Sequence, residues 1–266
     1  MQVWSLASGS AGNAYLLRAE DTLVLVDCGL PLRVLTERLA QLGLHPAQLS
    51  AVLVTHEHTD HLGGVPGLAK RYRVPVYATA GTLAAAGARL PPEAPRQVVV
   101  GGQPFQVGAF TVRPFAVPHD AAEPVAYHLS TARARACIVT DLGHVPEAVL
   151  PYLRETELLV LEFNHDAEQL ARGPYHPELK RRIAGPLGHL SNRAAARCLV
   201  QALSGSQEMV WLAHLSEVNN SQRSAREAAL WAVRAAGGPA VPVQVAERRA
   251  LSLRWDLDAP RQLRLF

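Results

Sequence analysis

Residues 54–64, VTHEHTDHLGG, constrain this chain more than any other stretch. The preceding run, LSAVLVT, is short and apolar, the pattern of a buried strand, and it ends on His56, Glu57, His58, Thr59, Asp60 and His61 before Gly63 and Gly64. Side chains two apart in an extended chain project to the same side, so His56 and His58 face one point. Asp60 and His61 fall where the chain turns into a helix, which can bring them to that point from the other side. Imidazole and carboxylate together suit zinc, manganese or iron. Four such groups within six residues exceed what one catalytic ion takes from one segment, which points to two ions. The two glycines let the backbone fold tightly behind them. Glu57 projects the opposite way and reads as a solvated or supporting carboxylate.

The rest of the chain supplies the layers around this loop. QVWSLAS, NAYLLRA, TLVLVDCG and VPVYAT read as strands. PLRVLTERLAQLGL carries Leu32, Leu35, Leu39 and Leu42 as a helical stripe with Pro31 at its start. VPGLAKRYR and AGTLAAAGARL read as helices. From QVVV through PFQVGAFTVRPFAV, VAYHLST and ARACIVTD, strands follow one another across glycine or polar turns. Helix PEAVLPYL, strand LLVLEF and a helical stretch around PELKRRIAG come next. They are followed by helix SNRAAARCLVQAL, which Ser191 can cap, then strand EMVWLAHLS, helix SAREAALWAVRAA and two strand-like segments, VPVQVA and LSLRW. Strands at both ends with helices between them predict an α/β chain of two sheets with helices outside, in one domain over residues 1–266.

Composition permits this and excludes little else. At 266 residues and 48% hydrophobic content the chain can bury a large core. No apolar run approaches the roughly 20 residues of a membrane span, and the N-terminus has no basic residue ahead of its apolar ones, unlike a signal peptide. Cys28, Cys137 and Cys198 are odd in number, far apart and outside any CxxC pair. They read as buried hydrophobes in a reducing cytoplasm. A net charge of +3 allows a polyanionic partner without requiring one.

Further ligands for two ions belong at strand ends, and His119 in FAVPHDAAEP, Asp141 in CIVTDLGH and His214 in MVWLAHLSEVNN fit. His189 precedes a helix whose N-terminus would favour a phosphate, with the amides near Ser191 as its donors. Asn164 and His165 follow another strand. Ser8, Ser10 and Asn13 lie in a glycine-bracketed loop that either lines a pocket or is a plain turn. Substrate contacts are expected from Ser191, Asn164, His165, Asn13 and Ser8. Asp27, in LVDCG, reads as a turn residue. His45, His128, His144 and His176 read as structural or solvated. Lys180, Arg181 and Arg182 read equally as a nucleic-acid contact or a solvated helix face.

HEHTDH resembles the HxHxDH signature of the metallo-β-lactamase superfamily. That resemblance implies an αββα sandwich, two mixed sheets face to face with helices on both outer sides. It also implies that His56, His58 and His119 hold one ion, that Asp60, His61 and His214 hold the other, and that Asp141 bridges them. SLASGSAGNAYLL, LVDCGL, PHDAAEP, TDLGH, LEFNHD, LKRRIAGPLGHLSN and LAHLSEVNN together look like the WalJ/YycJ-type branch. Members are two-metal phosphodiesterases, with 5′ to 3′ exonuclease activity on duplex DNA and a role in DNA repair. The family usually has Ala where this chain has Phe163 and Ser where it has Ala11, and neither difference alters a ligand. GHLSN is also similar to the ribonuclease Z branch, which implies that His189 is the general acid and His214 a ligand; Asp60 and His189 are the expected catalytic residues, with a hydroxide activated by two zinc or manganese ions. The competing readings are a ribonuclease, a thioester or lactone hydrolase on the same fold, and a non-catalytic binding protein.

Overall fold

In the structure, a computed structural model that describes residues 1–258, the strands gather into two sheets. Residues 259–266, the end of the expected 1–266 domain, lie outside the described residues. The first sheet contains β1 (Gln2–Ala7), β2 (Ala14–Ala19), β3 (Thr22–Val26), β4 (Ala51–Leu53), β5 (Val76–Thr79) and β6 (Arg96–Val99). The second contains β7 (Phe105–Val107), β8 (Phe110–Ala116), β9 (Val125–Ser130), β10 (Arg135–Val139), β11 (Leu158–Glu162), β12 (Met209–Ala213) and β13 (Val243–Val245). The last strand, β14 (Leu253–Asp256), crosses back and pairs with β1. Each sheet begins antiparallel and ends parallel: β1–β2–β3 and β7–β8–β9–β10 are antiparallel ladders, whereas β3–β4–β5–β6 and β10–β11–β12–β13 are parallel.

Alternation along the strands builds the layers. Tyr15 and Leu17 of β2 point between the sheets, where they meet Phe110, Tyr127, Ile138, Val160 and Trp211, while Leu16 points outward. The outer face of the first sheet is covered by α1 (Leu32–Gln41), α3 (Val65–Tyr72) and α4 (Ala80–Ala86), through Leu35, Leu39, Leu68 and Ala86. The outer face of the second is covered by α5 (Leu150–Arg154), α8 (Asn192–Ala202) and α9 (Gln222–Ala235), through Leu153, Leu199 and Val233. This is the expected αββα arrangement. The interior parallel strands β3, β4, β11 and β12 read as apolar runs because both of their faces are covered, whereas the edge strands β6 and β13 keep exposed residues. Among the described residues no helix is long and apolar enough to cross a membrane.

The short elements are where sequence periodicity failed. The loop helix α2 (Thr59–Leu62) is a single turn, and α6 (Ala167–Arg172) and α7 (Pro177–Ile183) are also brief. Of these α6 was not anticipated: six residues are too few for a periodic stripe, and what marks it is Asp166, whose side chain accepts from the amides of Glu168 and Gln169. PFQVGAFTVRPFAV divides into β7 and β8 around Gly108.

Leu17 has no exposed surface and belongs to the layer between the sheets. Leu17→Ala is expected to lower unfolding free energy by about 2–5 kcal/mol, read from the midpoint of a denaturant titration. A loss below about 0.5 kcal/mol, the scale of a surface change, would show that this layer is not the core it resembles.

Candidate metal centre

All the parallel strands of both sheets deliver their C-terminal ends to one edge of the sandwich, and the polar groups collect there. β3 leads to Asp27, β4 to Thr55, His56 and His58, β10 to Asp141, β11 to Glu162 and β12 to His214. The turn α2 adds Asp60 and His61, the segment after β8 adds His119, and the segment before α8 adds His189. Among the described residues five non-glycine residues have positive φ, and three of them are Asp27, Asp141 and His214. Such a backbone costs on the order of 1–3 kcal/mol per residue and is retained where surrounding contacts over-determine it. Here those contacts are the hydrogen bonds of the site.

Close approach also explains two glycines. A Cβ on Gly29 would lie 1.8 Å from the Asp60 carbonyl oxygen, and one on Gly64 would lie 2.1 Å from that of Leu30. The turn α2 is therefore clamped against the β3 exit. Gly64 has φ −93°, so it is needed for contact rather than for an unusual turn.

Five of the six inward-facing histidines are held at Nδ1; the sixth, His58, turns its Nδ1 toward His119 Nε2, at 3.3 Å. Asp27 Oδ2 lies 2.8 Å from His61 Nδ1, and Asp27 also accepts from the Thr55 amide at 2.8 Å and from Thr55 Oγ1 at 2.9 Å. Asp27 is thus both the turn residue and the orienting carboxylate. Thr55 Oγ1 lies 3.0 Å from His56 Nδ1, and the Gly188 carbonyl lies 3.1 Å from His119 Nδ1. Glu162 Oε1 lies 2.8 Å from His214 Nδ1 and 2.9 Å from His189 Nδ1. In those five the opposite ring edge, Nε2, is left for the centre, as orienting contacts behind metal-binding imidazoles require.

The imidazole nitrogens and carboxylates then fall into overlapping sets whose ligand atoms lie within 4.8 Å of one another. One is His56, His58 and His119; another is Asp60, His61 and His214. Asp141 stands between them, with Oδ2 3.0 Å from His61 Nε2 and Oδ1 3.7 Å from His119 Nε2. His56 Nε2 is buried without a hydrogen-bond partner, and Asp141 Oδ2, although 3.0 Å from His61 Nε2, meets no donor in hydrogen-bond geometry. A buried lone pair without a donor costs about 1–3 kcal/mol, and a divalent cation is the group that would satisfy both. The residues therefore fit a metal pair. Glu162 and His189 fall in a further set with Asp141 and His214, but both Glu162 oxygens already accept hydrogen bonds.

Glu162 is the functional residue that sequence reading passed over. It has no exposed surface and takes two more hydrogen bonds, from the amides of Leu142 and Leu190, each at 3.0 Å. Its signal was a lone carboxylate closing the apolar run LLVLE. Asp120 was also missed: it pairs with Arg182 and lies 3.3 Å from His119 Nε2. Glu57 turns from the centre, as expected, and accepts the Ala122 amide at 2.9 Å, which steadies the segment carrying His119.

The expected substrate contacts need correction. Ser8, Asn13, Asn164 and His165 are buried and do not line the open cavity above the centre, which is bounded by Ser10, Tyr175, Arg182 and the centre's own residues. They brace the ligands instead. Ser8 Oγ accepts the His214 amide at 2.7 Å, Asn13 Nδ2 lies 3.0 Å from His61 Nε2, and Asn164 Nδ2 donates to the His214 carbonyl at 3.0 Å. His165 bridges to Ser191, whose hydroxyl is spent capping α8 through the Ala194 amide. His144 is exposed, with Nδ1 2.9 Å from the Pro186 carbonyl. His45 and His176 cap short helices, and buried His128 contacts the Glu155 carbonyl. Of the basic run, Arg182 reaches the cavity, whereas Lys180 donates to the Ala171 carbonyl.

Without metal, protons hold the carboxylates together. Burial lowers the pKa of His214, but Asp141 and the hydrogen bonds that the ring donates to Asp60 and Glu162 overcome it and raise the value to about 10. Burial likewise lowers the His61 pKa, but the charges of Asp141, Asp60 and Asp27 outweigh it and raise the value well above the usual imidazole range. His56 moves the other way, pushed well down by burial and the charge of His61. Burial raises the Glu162 pKa, but the histidines His189 and His214 bring it to about 2.

Two outcomes are expected. At neutral pH His61 and His214 each carry a proton that a cation must displace, so metal binding should release protons and strengthen as pH rises from 6 to 8. Calorimetry in buffers of different ionisation enthalpy measures this, and an enthalpy independent of buffer would contradict it. Glu162→Gln should weaken metal affinity about ten- to hundredfold in a chelator competition, and unchanged affinity would remove its orienting role.

The family model of the metallo-β-lactamase superfamily matches residues 7–214. The chain is 34% identical over 219 residues to a protein named exodeoxyribonuclease WalJ from Streptococcus pneumoniae, covering 81% of each chain. It is 34% identical over 223 residues to exodeoxyribonuclease YycJ from Bacillus anthracis, covering 83% of this chain and 84% of that one. The crystal structure of the metallo-β-lactamase fold protein YhfI from Bacillus subtilis superposes with a TM-score of 0.75 at 19% identity, over 96% of this chain and 99% of that one. By fold, ligand constellation and sequence, the chain belongs to the metallo-β-lactamase superfamily and, within it, to the WalJ/YycJ branch.

Proposed function

We propose that this metallohydrolase is a phosphodiesterase that removes nucleotides from DNA in the 5′ to 3′ direction. The observation that carries the reading is His189. It lines the cavity beside Asp141 and His214, and its Nδ1 is 2.9 Å from the buried Glu162. A titratable group outside the two ligand sets, oriented by the carboxylate that also holds His214, is more than metal binding needs, and it is what departure of a poor alkoxide leaving group needs. DNA as the substrate, and the polarity, are supported by the relatives named exodeoxyribonuclease.

His56, His58 and His119 would hold one divalent ion, Asp60, His61 and His214 the second, and Asp141 both; zinc and manganese each suit this donor set. Such ions lower the pKa of bound water toward neutrality and neutralise charge building on phosphoryl oxygens. The chain's own residues do the rest. Asp27, Thr55, Glu162 and the Gly188 carbonyl fix the ligand rings. Burial lowers the His189 pKa, but Glu162 outweighs it and raises the value, which favours the protonated ring that a general acid needs. As water adds to phosphorus and the bond to the 3′ oxygen breaks, His189 Nε2 gives that oxygen its proton. A cytoplasmic setting belongs to the same proposal, supported by the three free buried thiols, Cys28, Cys137 and Cys198.

The test is cleavage of end-labelled duplex DNA, single-stranded DNA and RNA by metal-loaded protein. Shortening of DNA from the 5′ end is expected, abolished by chelator and by Asp60→Asn. His189→Ala should slow DNA cleavage about 10²–10⁴-fold but slow a p-nitrophenyl phosphodiester far less, because that leaving group needs no proton. Equal losses on both substrates would refute the acid role, and cleavage of RNA alone would establish the ribonuclease reading.

A further inference from the structure

The cavity above the metal centre has two unlike sides. Its floor is polar, made by Asp60, Asp141, His189 and His214. One wall is apolar and comes from a single stretch, Tyr175, Leu179 and Ile183. Leu179 and Ile183 are four apart on α7 and share one face, and Tyr175, just ahead of the helix, lines the same cavity. Leu179 keeps 38% of its surface exposed and nearby Leu187 50%. Apolar surface gathered at the rim of a charged cavity marks a place that an apolar part of a ligand covers.

The wall is tied to His189. The His189 amide donates to the Ile183 carbonyl at 2.8 Å, and a Cβ on Gly188 would lie 2.2 Å from the carbonyl oxygens of both Arg182 and Ile183. His189 protonates the oxygen that leaves, so the nucleoside carrying that oxygen must lie on the His189 side, against this wall. In a strand degraded from its 5′ end that nucleoside is the terminal one.

On the phosphodiesterase reading above, we infer that Tyr175, flanked by Leu179, is the platform on which the base of the departing 5′-terminal nucleotide stacks. Stacking accepts every base because each has a π-face, which suits an enzyme that must proceed through any sequence. It also requires the terminal base to leave its pair, so the platform offsets part of the unpairing cost. Tyr175 positions the substrate and specifies an aromatic terminal group; it takes no part in proton transfer.

The experiment compares kcat/KM on two DNA duplexes, identical except that one ends in a 5′ abasic nucleotide. The wild-type protein should favour the natural end by about ten- to hundredfold. Tyr175→Ala should bring that ratio close to one, and Tyr175→Phe should keep it, at unchanged metal content and melting temperature. A wild-type ratio near one, or a ratio that survives Tyr175→Ala, overturns the platform while leaving the nuclease reading intact. A wild-type protein that cleaves neither DNA overturns both.

Discussion

Glu162 ends a strand covered on both faces, and its carboxylate is fully buried. A buried anion costs several kcal/mol unless its lone pairs are taken. Here four donors take them, two imidazoles and two backbone amides. Those donors come from three separate places: Leu142 beside Asp141, His189 with Leu190 ahead of α8, and His214 after β12. The satisfaction of one charge therefore sets the relative position of Asp141, His214 and the proposed acid His189. Asp27 does the same work in the other sheet, joining β3 to Thr55 and through it to His56 and His61. The two sheets are each closed by one buried carboxylate, and the metal centre lies between them.

The site is assembled under strain and repulsion. Asp27, Asp141 and His214 have left-handed backbones, and acids and imidazoles crowd together where no water screens them. In the metal-free protein, protons on His61 and His214 balance Asp60 and Asp141. Cations would take over that balance and satisfy His56 Nε2 and Asp141 Oδ2 as well. Folding is thus spent on holding a charge arrangement that is completed by metal, which is why the cluster is backed by so many buried hydrogen bonds.

The residues that bind ligands and those that brace them are chemically alike, which limited how far sequence reading could separate them. Ser8, Asn13, Asn164 and His165 were expected to meet substrate. Each can donate or accept, and each lies at a loop or strand end as a contact residue would. Only the packing turns them inward, against His214, His61 and α8. Glu162 was hidden for the converse reason: one polar residue at the end of LLVLE weakens a strand pattern slightly and does not announce which loops it will gather.

By itself the sequence determined the layers and the ligand types. Short apolar runs bounded by glycine and polar residues, and the helical stripe of α1, dictate two sheets with helices outside. HEHTDH, read with histidine or aspartate at three later strand ends, dictates a metal centre, because strand order brings the C-terminal ends of parallel strands to one edge. Tertiary structure alone decided which polar neighbours face the cavity, that a single carboxylate couples His189 to His214, and that Tyr175 and Leu179 wall the cavity beside His189. These are distances between residues far apart in the chain, set by how loops close over the sheet edge, and no local pattern of side chains encodes them.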